Sequence, residues 1–459
     1  STSVKNTMSG TNSALKMLDE LIGIVTKKLR KLHPYEILLS YSGVVNMVIL
    51  NGKFNFNDLE NAVKLARKEH PYLRMGIKDT EFIETYAKLK DISTVNVMST
   101  KEINDSWKRN IIDCGDKTYD NEKSVIYFEL YSNHENDYHA LYAIINHAAM
   151  DARGGFQLME AILYYLGEVM KGNSVDAIKV REERKFYDII EDAIEMYKND
   201  NSKYTIKVPE SEYITSIPTK YKHVNKDDTK NDDIKTDSDI VWNRNSSKIC
   251  GNWFELTKEN TSKLIQKCRD RKTTIQGVIS AASAVAFMWR ARELHKPPYN
   301  LLLCCPCQIS SQVNPPISPT NCVCGSTGVF WLINVKKDMK IWDIAIESKA
   351  LLNDAIKNGH CIEWMNGING IKLKDEPDND ETNSTKLPQW SDMASSIGIN
   401  PCKNEYGLLK VLDYKMIGCA YGLGNINAPS GNTMIHAQTF NGKLNGSIAY
   451  SYPLITHND

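Results

Sequence analysis

The stretch DYHALYAIINHAAMDARGGFQLMEAILYY, residues 137–165, indicates the fold of the chain. Residues 138–145 alternate between two mostly apolar faces, which is typical of a strand that is covered on both sides. The alternation then breaks, and two glycines precede a segment with apolar residues at helical spacing. The stretch therefore predicts a buried strand, a short loop and a helix. His147 lies at the end of the strand, and Asp151 follows four residues later.

A histidine in this place can be held rigidly and still reach a cavity. Its ordinary pKa lies near neutrality, which suits a general base that removes a proton from an attacking hydroxyl or amine. The chain contains no GxSxG nucleophile elbow. The sequence therefore offers no nucleophilic serine of that kind.

The stretch NHAAMDA, residues 146–152, resembles the HHxxxDG motif of the acyl-CoA-dependent acyltransferase superfamily. That superfamily includes chloramphenicol acetyltransferases, alcohol acetyltransferases, plant BAHD acyltransferases and condensation domains. His147 and Asp151 match the motif. Asn146 stands in place of the first histidine, and Ala152 stands in place of the glycine.

Two further features carry the resemblance beyond the motif. The order strand, turn, helix and then HPYLR at residues 70–74 is similar to the start of these proteins. Near the C-terminus, Asn441-Gly442 between two alternating segments predicts a β-hairpin. The alcohol acetyltransferases end in such a hairpin, so the resemblance extends over roughly residues 35–453.

The resemblance implies an α/β fold with two chloramphenicol-acetyltransferase-like subdomains. Each is expected to be a mixed β-sheet with flanking helices, and the active-site tunnel is expected at their interface. We expect the first subdomain, which carries the motif, over residues 1–202 and the second over residues 249–459. Residues 203–248 are polar and rich in charge, which is typical of an exposed crossover linker.

Periodicity predicts the individual elements. We expect a helix over residues 15–32, a strand over 41–50, a helix capped by Asn57 with Glu60 three residues on, a strand over 72–77, a hairpin of strands over 125–131 and 138–145, helices over 186–197, 258–270, 274–293 and 342–357, and strands over 252–256, 301–309, 328–335, 435–440 and 444–450. The helix over 274–293 carries an apolar stripe at helical spacing, which we expect in the core: Ile275, Val278, Ala282, Val285 and Trp289.

The resemblance also implies roles for single residues. His147 is expected to be the general base, and Asp151 to support the loop through a pair with an arginine. The arginine that relatives carry after the strand at 301–309 is not evident in this chain. Three others are alternatives for the partner, namely Arg153, Arg290 and Arg292.

The segment Ser395-Ser396-Ile397-Gly398 resembles the SNxG segment near the tunnel of alcohol acetyltransferases and condensation domains. Ser396 stands where asparagine is usual, and it is either an oxyanion donor or a plain loop serine. Three glycines are expected to bind the substrates: Gly154, Gly155 and Gly398.

The leading interpretation is an O- or N-acyltransferase of secondary metabolism, nearest to the alcohol acetyltransferases. It would move an acyl group, such as acetyl, from coenzyme A to a small-molecule alcohol or amine. Acetyl-CoA or another acyl-CoA is then a co-substrate, and no cofactor stays bound. Two alternatives stay open. One is condensation-type transfer from a carrier protein acting in trans, and the other is a non-catalytic binding protein on the same fold.

Composition narrows the classes of partner. Lysine plus arginine number 56, as do aspartate plus glutamate, so no basic field favours nucleic acid. No apolar run approaches the roughly 18 to 20 residues of a membrane helix. Eleven cysteines without a secretory signal are typical of reduced thiols, so a cytoplasmic monomer is expected. The cysteines over 304–307 and 322–324 do not have a usual zinc spacing, so no metal site is expected.

Overall fold

The computed structural model describes residues 27–199, 248–292, 295–369, 391–420 and 433–452. Its helices are, in chain order, α1 (Pro34–Ser40), α2 (Phe56–Glu69), α3 (Thr100–Asp116), α4 (Ala152–Val169), α5 (Ile189–Asn199), α6 (Lys258–Asp270), α7 (Ile275–Ala291), α8 (Ile341–Lys357) and α9 (His360–Asn369). None of these described helices combines the length and the apolar character that crossing a membrane requires.

The strands are, in chain order, β1 (Lys27–Lys31), β2 (Ser42–Asn51), β3 (Met75–Lys78), β4 (Glu81–Glu84), β5 (Ser93–Val97), β6 (Ile126–Asn133), β7 (Tyr138–Asn146), β8 (Lys248–Glu255), β9 (Tyr299–Gln308), β10 (Ser326–Val335), β11 (Asp392–Ile399), β12 (Glu405–Tyr406), β13 (Leu409–Ala420), β14 (Thr433–Phe440) and β15 (Lys443–Tyr452). They form a first sheet in the order β12-β13-β2-β7-β6-β5 and a second sheet in the order β10-β9-β11-β14-β15-β8. A small third sheet has the order β1-β4-β3.

Both six-stranded sheets are mixed. In the first sheet β5 runs parallel to β6, while β7 pairs antiparallel with both β2 and β6. In the second sheet β11 runs parallel to β9 and β14, and β15 is antiparallel to β14 and β8. Helices flank the sheets, so the predicted α/β architecture with two mixed sheets is confirmed.

Strand β7 lies in the middle of the first sheet and is covered on both faces, as the alternation of its residues predicts. Ala143 and Ile145 belong to the core that α2 and α4 cover. Tyr142 and Ile144 belong to the core on the α3 side. Because a strand buried on both faces cannot shift its register without exposing apolar groups, β7 holds the residues that follow it in a defined place.

Strand β13 comes from the C-terminal half of the chain but completes the first sheet. It pairs antiparallel with β2, with Gly418 opposite Val44. Deeper in the same sheet, the Tyr414 hydroxyl donates to Asn46 Oδ1 at 3.0 Å. The two halves of the sequence therefore share a sheet. The domain boundaries at residues 202 and 249 stay a prediction, and residues 203–247 of the expected linker lie outside the described ranges.

Two expectations near the N-terminus are wrong in detail. Lys27–Lys31, at the end of the expected helix over 15–32, form strand β1 because they pair with β4; residues 15–26 lie outside the described ranges. Helix α2 begins at Phe56, and its cap is Asn55 rather than Asn57. The Asn55 side chain accepts from the amides of Asn57 and Asp58, and Asp58 returns a bond to the Asn55 amide, so the capping box lies two residues earlier.

Two further expectations are corrected by packing. Part of the expected strand over 72–77 is a 3₁₀ turn, and β3 begins only at Met75. In α7, three residues of the expected stripe are exposed rather than in the core: Ala282, Val285 (38% exposed) and Trp289 (65% exposed). The buried face of α7 instead carries small residues such as Gly277, where a Cβ would lie 2.5 Å from the Ala345 carbonyl oxygen of α8. Close approach of the two helices therefore outweighs the larger apolar stripe.

A buried carboxylate joins α2, α4 and the segment after α4. Glu69 is 1% exposed, and its Oε2 accepts from the Tyr165 hydroxyl at 2.7 Å and from Arg181 Nε at 2.9 Å. His70 Nε2 and Arg184 Nε lie 3.3 and 3.7 Å from Oε1. Burial alone would raise the pKa of Glu69, but hydrogen bonds from His70, Arg181 and Tyr165 outweigh burial and lower the pKa to about 2.

We expect Glu69→Gln to lower the free energy of unfolding by about 3 kcal/mol, because two arginines then lose a buried carboxylate. The pKa shift sets the pH dependence. The carboxylate contributes its full stabilisation above the pKa of an unfolded glutamate, about 4.3, and loses it as the pH falls toward 2. Urea denaturation between pH 2.5 and 7 measures both effects.

Glu60→Gln is the matched control, since Glu60 lies on the same helix, is partly exposed and pairs with the exposed Lys64 at 3.8 Å. That variant should change stability by less than about 0.5 kcal/mol. Equal effects of the two substitutions would contradict the assignment of Glu69 to a buried ion-pair network.

Candidate active site

The side chain of Asn146 holds the loop after β7. Asn146 is one of the two residues that depart from the superfamily motif. Its Oδ1 accepts from the Ala148 amide at 3.0 Å. Its Nδ2 donates to the Ser40 carbonyl at 3.1 Å and to Asn121 Oδ1 at 3.2 Å. A short side chain with both a donor and an acceptor thus satisfies the turn, which explains structurally why asparagine serves at this position.

His147 leaves the sheet at the end of β7. Its amide donates to the Ser42 carbonyl at 2.9 Å, so the main chain is still held by β2. Its ring is partly exposed, and Nδ1 lies 3.6 Å from Cys324 Sγ. Burial lowers the pKa of His147, opposed by a hydrogen bond to its own backbone and by the charge of Asp151. Within the described ranges, Nε2 has no hydrogen-bond partner.

Asp151 is the N-cap of α4 and is 3% exposed. Its Oδ1 accepts from the Gly154 amide at 2.9 Å, and its Oδ2 accepts from the Gly325 amide at 3.0 Å. In the part of the chain that the structure describes, the partners of this carboxylate are two main-chain amides rather than an arginine. Arg153, one of the arginines that the sequence offered, is exposed and affects Asp151 only through its charge.

The segment Cys322–Gly325 of the second half, here called the 322–325 segment, crosses to this loop. Besides the Gly325 amide, it supplies the Val323 carbonyl, which accepts from the Asp151 amide at 3.2 Å. Cys322 Sγ lies 3.2 Å from His70 Nδ1, while Cys324 Sγ faces His147. The segment therefore binds both sequence features that carry the resemblance, the HPYLR stretch and the HxxxD loop.

Sequence reasoning missed the 322–325 segment because it weighed the cysteines only as metal ligands. The available signal was their i, i+2 spacing next to a glycine, which places two side chains on one face of an extended segment. Burial, followed by the charge of Asp151, raises the pKa of the Cys324 thiol well above its ordinary value, so this thiol stays protonated. Among the described residues, no group of three or more metal-ligating side chains is arranged to hold an ion.

The three glycines predicted to bind substrates lie in different surroundings. A Cβ at Gly154 would lie 3.0 Å from the Val323 carbonyl oxygen, and one at Gly155 would lie 2.6 Å from Asn46 Nδ2. Close packing accounts for both positions. Gly398 has a φ of +100° and open space where a Cβ would be. A substrate-binding role for these glycines stays a prediction.

Ser396 lies on β11, in register with Ala437 of the parallel strand β14. Ala394 and Ala437 belong to the core cluster beneath α7, and Ser396 shares their face because side chains alternate along a strand. The Ser396 amide donates to Gln276 Oε1 of α7 at 2.6 Å. Ser395 lies on the opposite face, in register with His436. The predicted oxyanion role of Ser396 stays a prediction.

Several known proteins resemble this chain in fold. The profile of the family described as phthiocerol/phthiodiolone dimycocerosyl transferase C-terminus matches residues 248–379, a range without His147. No curated protein matches the chain. The structure of polyketide synthase associated protein 5 from Mycobacterium tuberculosis is similar with a TM-score of 0.61 and 14% identity, over 93% of this chain and 94% of that one.

Two further solved structures are similar over comparable lengths. The trichothecene 15-O-acetyltransferase of Fusarium sporotrichioides has a TM-score of 0.59 and 11% identity, over 94% of this chain and 93% of its own. The condensation domain of the monacolin K polyketide synthase has a TM-score of 0.61 and 9% identity, over 94% and 93%. The chain therefore has the two-lobed fold of the chloramphenicol acetyltransferase-like superfamily of acyltransferases and condensation domains, and the resemblance predicted from the sequence is confirmed at that level.

We expect Asp151→Asn to lower the free energy of unfolding by about 1–3 kcal/mol, because an NH₂ group would then face a main-chain N–H. Urea denaturation measures the loss. Hydrogen exchange at the Gly154 and Gly325 amides should also become faster, since both would lose or weaken their acceptor.

Asp113→Asn is the control, because Asp113 pairs with Arg109 at 3.4 Å on the exposed surface of α3. That substitution should leave stability almost unchanged. An Asp151→Asn variant with wild-type stability and wild-type exchange, but without turnover, would contradict the structural role of Asp151.

Proposed function

We propose that the protein is an acyltransferase that moves an acyl group from a coenzyme A thioester to the hydroxyl or amine of a small molecule. The observation that carries the proposal is the state of His147. The ring is fixed at the end of a doubly covered strand, burial lowers its pKa, and Nε2 has no partner in the described ranges. Such an imidazole is neutral at physiological pH and able to accept a proton.

The two ring nitrogens of His147 have different tasks in this proposal. Nδ1 faces Cys324 Sγ at 3.6 Å, and Nε2 is the nitrogen that we assign to proton transfer. A proton on Nδ1 leaves the lone pair on Nε2. We assign this tautomer, and contact with the 322–325 segment orients the ring, as a general base requires.

The reaction balances with the residues present. Nε2 takes the proton of the acceptor hydroxyl or amine as its oxygen or nitrogen forms a bond to the thioester carbonyl carbon. The resulting tetrahedral intermediate collapses, the carbon–sulfur bond breaks, and the thiolate of coenzyme A receives the proton from the His147 imidazolium. No redox step and no bound cofactor take part.

Direct transfer is favoured over an acyl-cysteine intermediate. Cys324 is the thiol in contact with His147, but the rise in its pKa keeps it protonated and poorly nucleophilic. Donor and acceptor then react while both are bound, and the protein contributes by holding them in line. The described cysteines are free thiols, which supports a cytoplasmic site of action for the enzyme.

Condensation-type transfer is the second candidate, and one observation favours it. A condensation domain of a polyketide synthase is as similar in structure as an acetyltransferase and covers the same share of this chain. In that case the acyl thioester would arrive on a carrier protein acting in trans, and His147 would have the same task. The two candidates differ only in what carries the thioester.

The test is an assay with radiolabelled acetyl-CoA and a panel of alcohols and amines. We expect the wild type to transfer label, and His147→Ala to lose roughly 100-fold to 10,000-fold in kcat, because the general base is missing. His134→Ala is the matched control, since His134 is exposed on the β6–β7 turn, and it should retain wild-type turnover. Transfer only from an acyl-carrier protein would favour the second candidate. If neither donor gives transfer, the result favours a non-catalytic binding protein on the same fold.

The pH dependence follows from the state of His147. The base acts in its neutral form, so kcat/KM should be constant at neutral pH and fall as the pH drops through the pKa of His147. Because burial lowers that pKa, the fall should occur below about 6.5, the ordinary value for histidine. A profile of kcat/KM between pH 4.5 and 9 checks this, and a midpoint above 7 would contradict it.

A further inference from the structure

A second histidine reaches the candidate site from the opposite sheet. His436 lies on β14, in register with Ser395 of β11 and Ser447 of β15. Its neighbours along the strand, Ile435 and Ala437, belong to the core beneath α7. Because side chains alternate, His436 points to the other face, toward the first sheet.

The ring of His436 lies directly on Gly418 of β13. A Cβ at Gly418 would be 2.7 Å from the Cε1 atom of His436 and 3.2 Å from Nε2, so only glycine leaves room for this contact. Gly418 pairs with Val44 of β2, and Val44 pairs with Ile145 of β7. These three residues form one row across the first sheet.

That row ends two residues before His147, so the two imidazoles lie at the same end of the first sheet. They lie close enough for the charge of His147 to lower the pKa of His436.

Among the described residues, none makes a hydrogen bond to a ring nitrogen of His436. Nδ1 is buried and has no hydrogen-bond partner, and none is recorded for Nε2 among the described residues. A buried polar group without a partner costs stability, and native proteins keep few of them. His139, by contrast, has partners for both nitrogens, Ser132 Oγ at 2.8 Å and the Gly52 carbonyl at 3.1 Å.

The ring is neutral under ordinary conditions. Burial, and then the charge of His147, lower the pKa of His436 to about 4. A neutral imidazole carries one N–H and cannot lend a proton as readily as an imidazolium. It can therefore donate a hydrogen bond to a carbonyl oxygen without protonating the base beside it, a role for which neutral histidines are known in enzymes.

We propose that His436 is a catalytic residue: the hydrogen-bond donor that the second sheet supplies to the carbonyl oxygen of the acyl thioester and to the oxyanion formed from it. This inference rests on the proposed acyl transfer. As the acceptor attacks, negative charge develops on the oxygen and strengthens its bond to the His436 N–H. No proton passes from His436, and the proton on His147 goes to the departing thiolate.

The assignment divides the chemistry between the two sheets. The first sheet holds the base and the second sheet holds the donor, so the carbonyl group lies between them. Ser396 belongs to the face of β11 beneath α7, whereas His436 belongs to the face toward the first sheet. A donor aimed at the developing charge is worth about 100-fold to 1,000-fold in kcat.

The experiment compares His436→Leu and His436→Gln with the wild type in the labelled-donor assay, using acetyl-CoA and the best acceptor of the panel. Leucine fills the space without an N–H, and glutamine restores a donor. We expect His436→Leu to lose about 100-fold to 1,000-fold in kcat with a nearly unchanged KM for acetyl-CoA. His436→Gln should recover at least tenfold of that loss, and both variants should keep the pH midpoint of kcat/KM below about 6.5.

Thermal unfolding separates this role from a structural one. Replacement of a buried imidazole without partners by leucine should leave the melting temperature unchanged or raise it. A His436→Leu variant that unfolds at a lower temperature and regains full kcat in the cold would overturn the proposal. If the wild type is active and the kcat of His436→Leu is within threefold of the wild-type kcat, the proposal is also overturned. A wild type that transfers no acyl group from any donor would overturn the proposed function, and the role of His436 with it.

Discussion

The candidate site depends on one carboxylate shared by two main-chain amides. Asp151 accepts from Gly154 on one oxygen and from Gly325 on the other, at 2.9 and 3.0 Å. The first bond caps helix α4, and the second joins the loop to the opposite half of the chain. A main-chain amide can approach the carboxylate more closely than a side chain can. The bond between Asp151 and the Gly325 amide therefore tolerates little displacement of the two chain segments. The position of His147, between the strand and this carboxylate, follows from it.

The buried ion-pair network of Glu69 lies away from the reacting groups. The buried ion pairs of the first lobe surround Glu69, at the far end of the 322–325 segment from His147. Around His147 are a protonated thiol, an imidazole whose pKa is lowered, and a carboxylate bound by amides. In such surroundings a hydrogen bond to a developing negative charge is stronger than it would be in water, because nearby mobile charges and solvent do not compensate it.

Local periodicity predicted the parts of the fold that local interactions determine. Strand β7 alternates between two apolar faces and is covered on both, and the C-terminal hairpin follows from its Asn-Gly turn. The predicted core stripe of helix α7 was wrong, because the contact of α7 with α8 uses small residues and leaves Trp289 exposed. The partner of Asp151 could not be predicted because a main-chain amide has no side-chain signature. His436 was missed because its contact with Gly418 joins two sheets, and no spacing in the sequence records it.

The path of β13 has a consequence for how the polypeptide is made. This strand covers the edge of β2, yet it is separated from β2 by more than three hundred residues of chain. During synthesis the apolar edge of β2 therefore stays unpaired until β13 has been made. An unpaired strand edge of this kind is prone to aggregation and to chaperone binding. Expression of the N-terminal half alone should accordingly yield an insoluble product, and co-expression of the two halves offers the route to rescue it.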